Sequence, residues 1–201
     1  PRASVGVALL PTQAKTASDL MRYADMALYQ AKRNGKGCAV VYDEAMGARE
    51  LAGAALMQEL ERAIAQDELT LHYQPKYQLA DHTLSGFEAL VRWQHPQRGL
   101  LPPGEFIAAA EKNGLIVDLG NWVLRRAVRQ MRQWRDLGYG WQRVAVNVSP
   151  LQLRNDGFVN LVRTVLEQHE VPGRFLQLEL TESSLAADPA KAQALVRALR
   201  A

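Results

Sequence analysis

The chain has 201 residues, 48% of them hydrophobic and 22% charged, which is enough apolar material for one or two packed domains and excludes a disordered or fibrous class. Its 24 basic and 21 acidic residues leave a net charge of +3, too weak a bias to mark a nucleic-acid or membrane-surface protein. Cys38 stands alone and so forms no internal disulfide, and His72, His82, His95 and His169 lack metal-finger spacing; a reducing, cytoplasmic setting is expected.

"ASVGVALL", residues 3–10, alternates Ala3, Val5, Val7 and Leu9 with Ser4, Gly6, Ala8 and Leu10, predicting a strand that Pro11 ends. Thr16 and Asp19 form a capping pattern ahead of Leu20, Ala24, Ala27, Leu28 and Ala31, which recur at helical spacing until Gly35 and Gly37. "CAVVY" follows as a short strand. A unit of about 40 residues is too small to bury a full core alone, so residues 1–43 read as the tail of a domain. Residues 44–66 carry Leu56, Met57, Leu60, Ala63 and Ile64 on one face without a proline and predict a helical connector.

From residue 67 to 201 strands and amphipathic helices alternate: "LTLHYQPKYQL", "LSGFEALVRW", a helix from about Gly104, a long helix over 118–137, "RVAVNVS", a helix near 157–169, "FLQLELTES", and a helix from Asp188. That order predicts a parallel α/β architecture. Arg125, Arg126, Arg129, Arg132 and Arg135 on the long helix oppose an apolar stripe of Leu119, Val123, Ala127, Met131 and Trp134, and read as a solvated basic face rather than a nucleic-acid surface. His95 before Pro96 reads as a turn residue, with no carboxylate evidently set to orient it. No signal peptide and no run of about 18 apolar residues is present, so no segment is expected to cross a membrane, while an anchor in another part of the protein stays open. With a strand-like run directly after Pro1 and a helical pattern still running at the end, the chain reads as part of a longer protein.

Strand alternation carries the chemistry. "FEALVRW" sends Glu88, Leu90 and Arg92 to one face and Phe87, Ala89 and Val91 to the other. In "VAVNVS" the valines 144, 146 and 148 oppose Ala145, Asn147 and Ser149; in "LQLELT" the leucines 176, 178 and 180 oppose Gln177, Glu179 and Thr181. If the valine and leucine faces pack under helices, Glu88, Asn147 and Glu179 share the opposite side, where two carboxylates and an amide suit Mg2+ or Mn2+ rather than zinc or copper. Arg92 offers a guanidinium matched to phosphate. The plainer alternative is that Glu88 pairs with Arg92 within the strand and that Asn147 and Glu179 satisfy backbone groups at strand ends.

These residues resemble the EAL-domain family of cyclic di-GMP phosphodiesterases, whose signature tripeptide is here Glu88, Ala89, Leu90. "YQPKYQL", "SGFEALVRWQHPQRGLLPPGEFIAAAEKNGLI", "VAVNVSPLQL" and "LELTES" are all similar to that family, in its order, over roughly residues 66–201. The resemblance implies a TIM-like (β/α) barrel, of which the chain holds the first half, that linearises cyclic di-GMP to pGpG with two divalent ions. By motif, Glu88, Asn147 and Glu179 correspond to metal ligands and Gln74, Leu90 and Arg92 to the nucleotide pocket. Glu88 and Glu182 are the catalytic acids so implied. The paired aspartates, the lysine after them and the late glutamate and glutamine of the family would lie beyond Ala201, so the chain by itself is expected to be inactive.

Residues 3–43 resemble the closing part of a GGDEF (diguanylate cyclase) domain through "SVGVALLP" and "ADMALYQAKRNGKG". Lys32 and Lys36 correspond to its phosphate-contacting positions, with Lys36 and Gly37 standing where arginine and asparagine are usual. The partner so implied is cyclic di-GMP, with pairing of two EAL domains left open. A receptor that binds cyclic di-GMP without cleaving it, or an interaction scaffold, remain the alternatives.

Overall fold

The computed structural model describes residues 2–180, 193–194 and 197–199, less the side chains of Arg33 and residues 49–51. It divides into two compact units, residues 1–56 and 57–201. The first is a strand, a helix and a parallel strand: β1 (Val5–Val7), α1 (Ala17–Arg33) and β2 (Ala39–Val41), with Val5 opposite Ala39. The expected strand over 3–10 is thus confined to its central three residues. Thr16 caps α1 as the sequence predicts, its hydroxyl oxygen accepting from the Asp19 N–H at 3.1 Å. Ala27 and Ala31 are fully buried on the inner side of this helix. Gly6 lets β1 lie directly against it: a Cβ there would stand 2.1 Å from the Ala24 carbonyl oxygen and 2.2 Å from the Leu28 nitrogen.

Helix α2 (Glu44–Gln66) starts in the first unit, and from Met57 onward it belongs to the second, burying Met57, Leu60 and Ala63. There a mixed sheet forms from β3 (Leu69–Tyr77), β4 (Leu84–His95), β5 (Gly99–Leu101), β6 (Val144–Val148) and β7 (Leu176–Leu180). The order is β3-β4-β6-β7. Because β3 pairs along nearly all of β4, the other edge of β4 is shared, β6 taking its start and β5 its end.

One expectation needs correction. The architecture is not purely parallel: β3–β4 is an antiparallel hairpin and β5 is antiparallel to β4, while β4, β6 and β7 run parallel. The six-residue connection 78–83 explains the hairpin, since a parallel pairing needs a crossover of a dozen or more residues. The sheet is open, with no closed barrel among the described residues, and a closed one was not expected of this chain.

After a single 3-10 turn at Pro103–Glu105 come α3 (Ile107–Asn113) and α4 (Ile116–Trp134); α5 (Pro150–Leu153) and α6 (Phe158–Gln168) follow β6. Residues 193–194 and 197–199 are helical, while Asp188, where the sequence predicts the start of a last helix, lies outside the described residues. Helix α4 buries Leu119, Val123, Leu124, Ala127, Val128 and Met131, and Trp134 meets Tyr73 edge-on at 4.7 Å and Phe87 at 5.2 Å. One face of the sheet is therefore covered. Two of the α4 arginines are paired within the chain, Arg126 with Asp67 at 2.9 Å and Arg132 with Asp136 and Glu170, and Arg135, just after the helix, lies over the Trp141 ring. Among the described residues, no helix is long and apolar enough to cross a membrane.

Candidate active site

Register decides which side chains meet. Antiparallel pairing sets Gln74 opposite Glu88, His72 opposite Leu90 and Thr70 opposite Arg92. Parallel pairing sets Glu88 beside Ala145, and Asn147 beside Glu179. Paired residues share a face, so Gln74, Glu88, Leu90, Arg92, Asn147 and Glu179 all stand on the side away from α4. The complementary set, Ala89, Val91, Trp93, Val144, Val146 and Val148, is buried. Alternation alone places them this way.

The polar face is open: Gln74 and Asn147 are exposed, and Glu88, Leu90, Arg92 and Glu179 are half-buried. Asn147 Nδ2 donates to Glu88 Oε1 at 2.8 Å, joining β6 to β4. Glu179 Oε1 accepts from Lys76 Nζ at 2.5 Å and from Gln177 Nε2 at 3.3 Å. Lys76 lies on β3 and Glu179 on β7, three strand spacings apart, about 14 Å on a flat sheet. Their contact shows the polar face to be concave. An in-strand Glu88–Arg92 ion pair is not formed among the described residues; Arg92 Nη1 instead donates to the Val91 carbonyl at 2.8 Å.

The turn after Asn147 is tightly built. Ser149 caps α5 with a reciprocal box, its hydroxyl oxygen accepting from the Gln152 N–H while Gln152 Oε1 accepts from the Ser149 N–H, both at 3.2 Å, and Pro150 fills the first helical turn. Gln152 is 2% exposed and presses on Gly120 of α4, where a Cβ would meet its Oε1 at 2.2 Å.

His95 is the last residue of β4, paired with Gly99, rather than part of the turn that follows; its Nδ1 accepts from the Gln97 and Arg98 N–H groups of that turn at 3.1 and 3.3 Å. A carboxylate does orient it, contrary to expectation: with Nδ1 an acceptor, Nε2–H donates to Glu59 Oε2 of α2 at 2.9 Å. Glu59 lies 36 residues away, beyond any local pattern. Lys32, in the last turn of α1, and Lys36, at φ +64° just after it, are both exposed. Glu182 falls outside the described residues. Lys76 was missed from the sequence, although its parity with Gln74 puts it on the polar face; Gln177 was placed there beside Glu179 but given no role.

No group of three or more His, Cys, Asp or Glu is placed to share an ion among the described residues. What the face offers is two carboxylates and one amide, an all-oxygen donor set of the hard kind.

The parallel strands β4, β6 and β7 thus carry Glu88, Asn147 and Glu179 on one face of an open α/β sheet. The EAL domain family model matches residues 57–201, and the chain belongs to that family. The model of the diguanylate cyclase GGDEF domain matches residues 1–38 ahead of it. Among curated relatives, the bifunctional diguanylate cyclase/cyclic di-GMP phosphodiesterase MucR of Pseudomonas aeruginosa is 43% identical over 92% of this chain and 27% of its own length. The cyclic di-GMP phosphodiesterase PdeR of Escherichia coli is 42% identical over 90% of this chain and 27% of its own. The chain thus spans about a quarter of the length of these relatives. Among solved structures, the PaMucR phosphodiesterase in a cyclic di-GMP complex aligns with a TM-score of 0.69 at 43% identity, over 73% of this chain and 59% of that one. The Xanthomonas citri FimX EAL domain with cyclic di-GMP aligns with a TM-score of 0.69 at 27% identity, over 76% and 58%.

Proposed function

We propose that the chain is part of a cyclic di-GMP phosphodiesterase, which adds water across one phosphodiester of the cyclic dinucleotide, breaks one P–O bond and releases linear pGpG. The observation carrying this reading is that strand register sets Glu88, Asn147 and Glu179 on one face of the sheet, with Asn147 bound to Glu88. Those three residues would hold Mg2+ or Mn2+ through oxygen, and such an ion, when bound, supplies Lewis acidity toward a phosphodiester.

The chain's own residues supply the rest. Gln74, opposite Glu88 in register, can donate to a phosphate or a guanine edge. Arg92, on the same face, can turn from the Val91 carbonyl toward a phosphate, with two parallel N–H donors fitting two oxygens. Leu90, between Glu88 and Arg92, gives an apolar floor against which a base can lie. Glu182 would support the site, and Lys32 and Lys36 would be phosphate contacts of the GGDEF segment. Three oxygen ligands serve one ion and a two-metal site needs more, so residues 1–201 alone would be inactive, and the working molecule would act in the cytoplasm.

The test is Mg2+-dependent conversion of cyclic di-GMP to pGpG by the full-length protein, followed by chromatography. Turnover that stops on chelation and returns with Mg2+ or Mn2+ supports the reading. Tight binding of cyclic di-GMP without any pGpG would overturn it in favour of a receptor.

A further inference from the structure

Each carboxylate of the polar face has a donor from the chain itself, and the two donors differ in kind. Glu88 Oε1 accepts from the neutral amide of Asn147, whereas Glu179 Oε1 accepts from the ammonium of Lys76 at 2.5 Å. No local geometry imposes the second contact, since Lys76 and Glu179 are 103 residues apart and lie on the first and last strands of the β3-β4-β6-β7 run. The side chains are 37% and 28% exposed, so water screens their attraction only in part. An ammonium on that carboxylate supplies the same sign of charge, at the same oxygen, as a bound cation. A divalent ion there and the Lys76 ammonium would be like charges within a few ångströms, which is unfavourable. The flexible four-carbon stem of lysine lets the ammonium move away.

We propose that Lys76 is an internal competitor for the cation site: its ammonium neutralises Glu179 when no divalent ion is bound, and loading the ion requires its displacement. Lys76 is thereby a positioning residue that sets the metal concentration at which the site fills. The inference rests on the reading of Glu88, Asn147 and Glu179 as cation ligands.

Mn2+ binding by the full-length protein, measured by titration calorimetry and by loss of the free-Mn2+ electron paramagnetic resonance signal, tests it without reference to turnover. Lys76→Met and Lys76→Gln should each tighten Mn2+ binding by about two- to fivefold, the range of a partly exposed ion pair. Lys76→Arg, which keeps the charge, should stay near the wild type. Unchanged or weaker Mn2+ binding in both neutral variants, with wild-type binding intact, overturns the role of Lys76 alone. Failure of the wild type to bind Mn2+ overturns the cation reading and this inference with it. Thermal unfolding of the two neutral variants separates loss of fold from loss of competition, and only one of them needs to fold.

Discussion

The two faces of the β3-β4-β6-β7 sheet are built from the same strands under opposite rules. On the covered face, Trp93 and Val144 are 0% exposed, and burial pushes the Tyr73 phenol above its ordinary range. On the other face Glu88 and Glu179 are half-buried, and each takes a hydrogen bond from another strand. The covered face is chosen for volume and dryness, and the open one for donor atoms. Fold and chemistry are therefore separable by single substitutions at alternate residues of one strand.

Glu88→Gln is expected to have the largest effect on the open face. Turnover of cyclic di-GMP by the full-length protein should fall about a thousandfold, several kcal/mol of transition-state stabilisation at about 1.4 kcal/mol per decade. Its urea midpoint should barely move. Trp93→Ala, on the covered face of the same strand, should do the reverse: it leaves a hole beside Phe106, whose ring stands 5.8 Å away, and costs about 3–5 kcal/mol in urea unfolding. If the two substitutions perturb stability equally, the division between faces fails.

Ser149→Ala addresses the join between the faces, because the capped turn directly follows Asn147 and Val148. It should cost about 1 kcal/mol of stability. It should also lower turnover by about tenfold, the lower end of what removing support from a ligand does. The smallest effect is on neither face. Hydrogen bonds from Thr16, Thr83 and Arg132 hold the carboxyls of Asp19, Asp81 and Glu170 below the usual carboxylate range. Their stabilisation is complete above the ordinary carboxylate value of about 4 and is lost as pH falls through the lowered values. Melting temperature should hold level from pH 7 to about 5 and decline only below about 4.

Much of the open face was legible because a strand has a period of two residues: the parity of Glu88, Leu90 and Arg92, of Asn147 and of Glu179 gave their common side. The Thr16 cap was likewise written in local chemistry. Contacts between distant segments were not. The Lys76–Glu179 and Glu59–His95 pairs depend on how the sheet curls and where α2 packs, and no spacing rule reaches across 103 or 36 residues. The antiparallel β3–β4 hairpin was readable from its short connection, yet the strand-helix alternation downstream made the whole sheet look parallel.

The most direct test is anomalous scattering from Mn2+ in crystals of the full-length protein. A manganese peak is expected within coordination distance of Glu88, Asn147 and Glu179 oxygens together, with the Lys76 ammonium moved off Glu179. A manganese site elsewhere, with those three side chains unliganded, would contradict the cation reading.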